Sequence, residues 1–303
     1  MARTAGATNI IWMESRTEVS TSAKSSIKHL STHTGTPLED FRSLLTHQTN
    51  FLKWITSRHQ TIENLKQIIN TANLPGTGST LFNKEATYTK YRWYVEQLVL
   101  LEAINAFETF YKRSFVRLGE LIREYVEADK MRNLRVDAST MWLIDGQVSA
   151  PALLFEPQLY HDLTTIDDVT VALVGKRRYN PQQPAAAIKD RVRSLRVIFQ
   201  IRHTLSHNHG LVTSGDRAKF KRLGIDAVVD RVIDPAKDSL RIAAIEEIKE
   251  EAEQFTNWLA GVTADFLQDC IQNRGYQVPL SKKQPLEDLL GAHANWANVN
   301  WTP

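Results

Sequence analysis

The densest group of chemically capable side chains is Ile201-Arg-His-Thr-Leu-Ser-His-Asn-His-Gly210, where an arginine and three of the chain's nine histidines fall within eight residues. Ile188, Val192, Leu195, Ile198 and Phe199 form an apolar stripe at helical spacing just before it. Arg202 follows Ile198 and Phe199 by four and three residues, so it projects from the face due for burial. A guanidinium stays protonated in a protein, so burying it demands a carboxylate, a phosphate or a subunit interface. His207 lies five positions on, about 140° around an ideal helix. Asn208 and Gly210 mark the helix end, which puts this imidazole in the last turn, beside open space. Such a pair suits phosphodiester chemistry. The arginine can hold a scissile phosphate in two-point contact and stabilise developing charge. The histidine titrates near neutrality and can exchange protons with a ribose 2′-hydroxyl or a leaving oxygen. No metal or cofactor is required. Ser206, Asn208 and His209 are placed to orient substrate or imidazole.

Other residues compete for roles around this pair. Glu108 is the candidate carboxylate for Arg202, with Glu102 as fallback, although Lys112 lies one turn after Glu108 at the spacing of an ordinary surface ion pair. His203 and His207 share a helix face and could, with His209, bind a metal, but no HExxH-type general base accompanies them. Lys189, Arg191, Arg193, Arg196 and Arg202 lie within fourteen residues, just after Lys176-Arg177-Arg178. They form either a phosphate track or one solvated helix face. Tyr88, Tyr91, Trp93 and Tyr94 could stack on bases or pack into a core. Pro75-Gly-Thr-Gly-Ser79 lacks the Lys-Ser/Thr ending of a phosphate-binding loop and is set aside.

The elements that must position these groups read as helices. A helix begins at Pro37, with Thr36 as cap and Glu39-Asp40 at its positive end. A broad apolar face runs from residue 84 to about 130, a second strong helix from about Pro184 to His207, and a long one from about 243 to 273. Residues 157–163 and 166–175 read as short helices, and a further one is expected near 216–224. Ala227–Ile233 and Ser239–Ile242 read as two short strands around Asp234-Pro-Ala-Lys-Asp238, a β-hairpin. The domain reading is an irregular segment at 1–36 pinned by Ile10, Ile11 and Trp12, a helical domain at 37–275 with an insertion at about 137–184, and a tail at 276–303. The fold class expected is all-α, a helical bundle with a small β-hairpin.

Composition narrows the class without deciding it. An apolar content of 42% and a charged content of 23% fit a chain that buries a core and exclude disordered or fibrous classes. A net charge of +3 permits nucleic-acid binding but does not argue for it. One cysteine, Cys270, excludes an internal disulfide framework. No apolar run approaches the roughly 18 residues of a membrane span, and Asn9–Met13 is too short for a signal core. A cytoplasmic protein without membrane partners is expected.

Arg202-x4-His207, followed by Asn208, a glycine turn and Leu211-Val212, resembles the motif of the HEPN superfamily. The upstream Ala106-Phe-Glu-Thr-Phe110 resembles the helix that commonly supplies an acidic residue to that site. The resemblance covers roughly residues 84–128 and 185–272. His203 stands where many members have Asn, and His209 stands where members paired with a nucleotidyltransferase antitoxin carry Tyr. The resemblance implies a HEPN-like bundle and metal-independent endoribonuclease activity, with Arg202, His207 and Glu108 catalytic and His203, Ser206, Asn208, His209 and Arg196 on the RNA. It also implies a homodimer whose Arg/His pairs meet at the interface, a defence or toxin role, and an inhibitory or activating partner protein. The competing reading is a non-catalytic HEPN-like RNA-binding or protein-interaction module.

Overall fold

Helix α1 spans Pro37–Thr71 and starts with a reciprocal cap. The Thr36 hydroxyl accepts from the Glu39 N–H at 3.1 Å, and the Glu39 carboxylate accepts from the Thr36 N–H at 2.8 Å. Phe41, fully buried, lies 5.7 Å from Phe107 and 5.8 Å from Phe110 of helix α2, Gly78–Ile122. One stripe of α2 explains why it is the central element. Leu100, Ile104, Phe107, Tyr111, Phe115 and Leu118 recur every three or four residues, and none is exposed to solvent. The computed structural model describes residues 35–71, 78–132, 134 and 149–303. The expected irregular segment at 1–36 therefore lies outside the described residues but for its last two. So do most of the glycine-containing turn and residues 137–148 of the expected insertion.

The chain resumes in short helix α3, Ala150–Phe155, capped by Ser149, and then α4, Leu163–Val174, capped by Asp162 and ended by Gly175 in the left-handed region. Residues 157–162 thus form a turn instead of the expected short helix at 157–163, and α4 covers most of the one expected at 166–175. Helix α5, Lys189–His207, carries the histidine-rich segment, and α6, Ser214–Arg222, follows it. Helix α7, Leu240–Arg274, buries Ile248, Ala252, Phe255 and Leu259 against α2 and stops at Gly275 with a positive φ. Phe255 meets Tyr111 edge-on at 4.8 Å and Phe110 at 6.1 Å. The final residues pack on the same core: α8, Lys283–Leu290, buries Leu286, Leu289 and Leu290, and Trp296 is buried beyond it. Thr36–Pro303 form one compact unit.

The bundle is all-α, and the expected β-hairpin is absent among the described residues. Ser239 ends a 3-10 turn, and Leu240-Arg-Ile242 opens α7. The alternation in this stretch was too short to outweigh Ala244, Ile245 and Ile248, whose helical spacing reaches the core. A strand face must also be buried to be stable, and here Val228, Val232 and Ile242 are each more than half exposed. What survives is one isolated antiparallel bridge, Leu211 with Val232. Around it Val212 donates to the Arg231 carbonyl and Ile233 to that of Gly210, each at 2.9 Å. No helix among the described residues is long and apolar enough to cross a membrane.

A buried polar network fixes the approach to α5. Asp167, wholly buried in α4, accepts the backbone N–H groups of Arg178, Tyr179 and Asn180 at 2.9, 3.0 and 2.6 Å. Arg178 reaches Glu251 of α7 through two nitrogens, at 2.8 and 3.2 Å, and the Tyr179 hydroxyl donates to the same carboxylate at 2.7 Å. Burial first, and the Glu251 carboxylate second, hold the Tyr179 and Tyr111 phenols far above their ordinary range, so both stay protonated. The basic run in the sequence is largely consumed by such contacts. Arg191 pairs with Glu247 and Glu250 at 3.0 and 2.6 Å, and Arg193 donates to the Leu223 carbonyl at 2.8 Å.

Candidate functional site

Helix α5 presents Val192, Leu195, Ile198, Phe199, Ile201 and Leu205 to the core, and Arg202 sits at the margin of that face. Its Nε lies 3.2 Å from Oε1 of Glu108 on α2, with the two side chains about one-fifth exposed (21% and 18%). Both atoms are shielded from solvent, yet their alignment makes no hydrogen bond. The other Glu108 oxygen is 3.3 Å from Nδ1 of His161, in the turn before α4. Glu108 thus bridges an arginine and an imidazole from two other segments. The spacing to Lys112 does not define its role: no Glu108–Lys112 ion pair occurs among the described residues. Glu102 is exposed and accepts from Asn105 at 3.5 Å.

His207 is exposed on the last turn of α5, its ring 4.8 Å from that of His203 and inclined by 48°. No described contact joins it to Arg202. Asn208 caps the helix with its N–H on the Thr204 carbonyl, and its side-chain amide donates to Asp216 at 2.8 Å. His209 takes a positive φ of 49° and is exposed, as is Ser206. Gly210 follows at φ 80°, where a Cβ would meet Trp93 at 2.9 Å, so the sharp exit after the histidines depends on glycine. Trp93 itself donates to the Ile233 carbonyl at 2.9 Å, and Gln97 to that of Leu205 at 3.2 Å. These bonds clamp α2 to the end of α5. Tyr91 and Tyr94 are about half exposed.

Asp216 on α6 organises the other side. Almost fully buried, it accepts from the Thr213 N–H and hydroxyl, the Asn208 amide and the Gln200 amide, at 2.8 to 3.1 Å. Burial alone would raise its carboxyl pKa, but the bonds from Thr213 and Asn208 outweigh that and hold it below the ordinary value. His203 is shifted down as well, by partial burial first, then by the positive fields of Lys219 and His207. Between α5, α6 and the turn before α4 lies an open cleft of about 300 Å³. His161, Arg196, Gln200, His203, Lys219 and Arg222 line it. Arg196 is exposed, and its described polar contact is to the Pro181 carbonyl at 3.5 Å.

The structure therefore brings Arg202 to Glu108, and His203 to His207, and sets His203 and Arg196 on one cleft. It does not bring Arg202 and His207 into contact within one chain. Sequence reasoning missed His161, Lys219, Arg222 and Asp216. The capping box at Thr213-Ser-Gly-Asp216 was a readable signal for Asp216. Nothing local marks His161, whose partner Glu108 is 53 residues away. Among the described residues, no group of three or more His, Cys, Asp or Glu side chains is arranged to hold a metal ion. No family model matches the chain, and comparisons with curated proteins and with solved structures return no match.

Proposed function

We propose that the chain is a HEPN-like, metal-independent endoribonuclease of the cytoplasm, acting as a toxin or defence effector. The observation that carries this reading is the Arg202–Glu108 pair, held 3.2 Å apart with Nε and Oε1 both out of solvent and neither in an aligned hydrogen bond. Glu108 thus orients the guanidinium, while about one-fifth of the Arg202 side chain stays open to solvent (21%). A substrate phosphate would complete the guanidinium's hydrogen bonds while Glu108 fixes its orientation. His207, exposed on the last turn beside His203, would exchange the proton with the ribose 2′-hydroxyl or leaving oxygen. Ser206, Asn208, His209 and Arg196 would contact the flanking RNA.

The reading includes a homodimer, in which Arg202 of one copy would approach His207 of the other. Tyr94 and Leu98, one turn apart and each 57% exposed, lie on the part of α2 that Trp93 and Gln97 clamp to the end of α5. Exposed Leu211 and Val232 adjoin the same helix end. Apolar surface of this kind suits burial by a second copy.

The test is cleavage of a mixed RNA pool in EDTA by the wild type, Arg202→Ala and His207→Ala. Wild-type cleavage that disappears in both variants is the expected result. If the folded wild type leaves RNA intact but binds it, and binding survives His207→Ala, the chain is instead a non-catalytic RNA-binding module.

A further inference from the structure

The cleft between α5, α6 and the turn before α4 carries two cations, Lys219 and Arg222, that the cleavage reading does not use. Arg196, Lys219 and Arg222 are exposed side chains on its wall, and none has a carboxylate within 4.0 Å among the described ion pairs. This contrasts with Arg178, Arg191 and Arg202, which the fold matches with Glu251, Glu247 and Glu108. The one acidic lining residue, Asp162, is occupied as the cap of α4, accepting the Thr164 N–H at 2.9 Å. Three fixed cations thus face one engaged carboxylate, with His161 and His203 as further donors. The floor is apolar, formed by Leu163, Phe199 and Leu223. A cleft of about 300 Å³ is large enough for a phosphate and its sugar.

We propose that this cleft binds a phosphomonoester, the terminal phosphate of an RNA chain. The charge balance selects a monoester over an internal phosphodiester. A monoester carries about two negative charges at pH 7 and presents three acceptor oxygens, whereas a diester carries one charge. Guanidinium and ammonium groups from two helices can meet those oxygens from different sides. The floor residues would cover one face of the terminal sugar. The electrostatics of His203 agree with an anion site. The groups around its imidazole are Lys219 and Asp216 from α6, Arg202 and His207 from α5, and, lining the same cleft, His161, Asp162, Arg196 and Arg222, with Glu108 behind His161. Cations dominate this set, so a bound phosphate would favour the imidazolium that they disfavour. The proposal rests on the RNA reading for the identity of the chain bearing the phosphate. It does not need cleavage to occur.

The experiment is fluorescence anisotropy in EDTA with one short labelled RNA prepared in three forms: 5′-phosphorylated, 3′-phosphorylated, and hydroxyl at both ends. One phosphorylated form should bind about tenfold more tightly than the hydroxyl form, the scale of one charge-assisted contact set. Lys219→Gln with Arg222→Gln should abolish the preference, and Lys176→Gln, at an exposed cation outside the cleft, should retain it. The substituted side chains are exposed, so the core is untouched. Equal binding of all three forms overturns the proposal while leaving the RNA reading intact, and absence of RNA binding overturns both. A preference that survives the double substitution overturns the assignment to this cleft. A companion titration with inorganic phosphate follows the His203 ring by NMR. A shift there without any end preference on RNA identifies a small-phosphate site and refutes the RNA end.

Discussion

Replacing Glu251 with Ala should be among the most damaging single changes available in this chain. The carboxylate is wholly buried and accepts from Arg178 Nε at 2.8 Å, Arg178 Nη2 at 3.2 Å and the Tyr179 hydroxyl at 2.7 Å. Arg178 is itself only 8% exposed, its guanidinium about 6 Å from the rings of Tyr179, Phe255 and Trp258. Alanine would strand this charge. Breaking a buried pair by removing one partner costs about 3–5 kcal/mol. For a unit of this size each kcal/mol corresponds to about 2–4 °C, so the melting temperature should fall by about 6–20 °C. Arg191 would not be stranded, because Glu247 and Glu250 remain within 3.0 Å. Arg178→Met combined with Glu251→Leu removes both charges and should cost much less than the sum of the two single changes. Urea and thermal denaturation followed by far-UV circular dichroism measure the five proteins: the wild type, Glu251→Ala, Glu251→Leu, Arg178→Met and the double variant. A Glu251→Ala cost below about 1 kcal/mol, or simple additivity in the double variant, would show that the network contributes no coupled stability and that the reasoning is wrong.

Further consequences concern the site itself. Gly210→Ala combines a φ of 80° with a Cβ 2.9 Å from Trp93, so a loss of at least about 1–2 kcal/mol is expected in thermal denaturation; an unchanged melting temperature would mean the turn relaxes freely. His203 should titrate below 6.5 in the folded chain, and Lys219→Gln should raise its midpoint in an NMR titration. Because the unfolded chain takes up this proton first, its contribution to stability is complete above pH 6.5 and is lost as pH falls from there toward the folded value. Asp216 behaves differently: its depressed carboxyl stabilises the fold above pH 3.8 and ceases to do so as pH falls through the lower folded value. Asp216→Asn should cost about 1–2 kcal/mol at pH 7 by weakening the α6 cap, and an effect confined to pH below 4 would contradict that account.

How far the sequence could be read depended on the range over which each interaction acts. The helical periods through Ile104, Phe107, Phe110, Phe115, Leu118 and Ile122, and through Val192, Leu195, Ile198 and Phe199, are visible within a few residues, and those side chains are buried. Tyr94 and Leu98, expected on the same apolar face of α2, are instead exposed. The cap at Thr36 and the glycine exits at Gly210 and Gly275 are equally local. The hairpin expectation failed at the limit of the same method. Ser239-Leu-Arg-Ile242 offers two apolar residues, too few to separate a two-residue from a 3.6-residue period, and the helical run behind it reached the core first. The site was legible only in part, because its decisive contacts are not periodic. That Arg202 needed a carboxylate, a phosphate or a subunit interface followed from its place on an apolar face. That Glu108 also holds His161 did not follow, since a single turn before α4 delivers that ring across 53 residues of chain. The basic run left two readings open for the opposite reason. Charge density along a sequence does not record that Arg191 faces three glutamates of α7 or that Arg193 caps the carbonyls of Leu223 and Gly224. What remains available to an anionic ligand is the subset of cations the fold leaves unmatched at a concave surface. Lys219 and Arg222 of that subset lie outside the run that drew attention first.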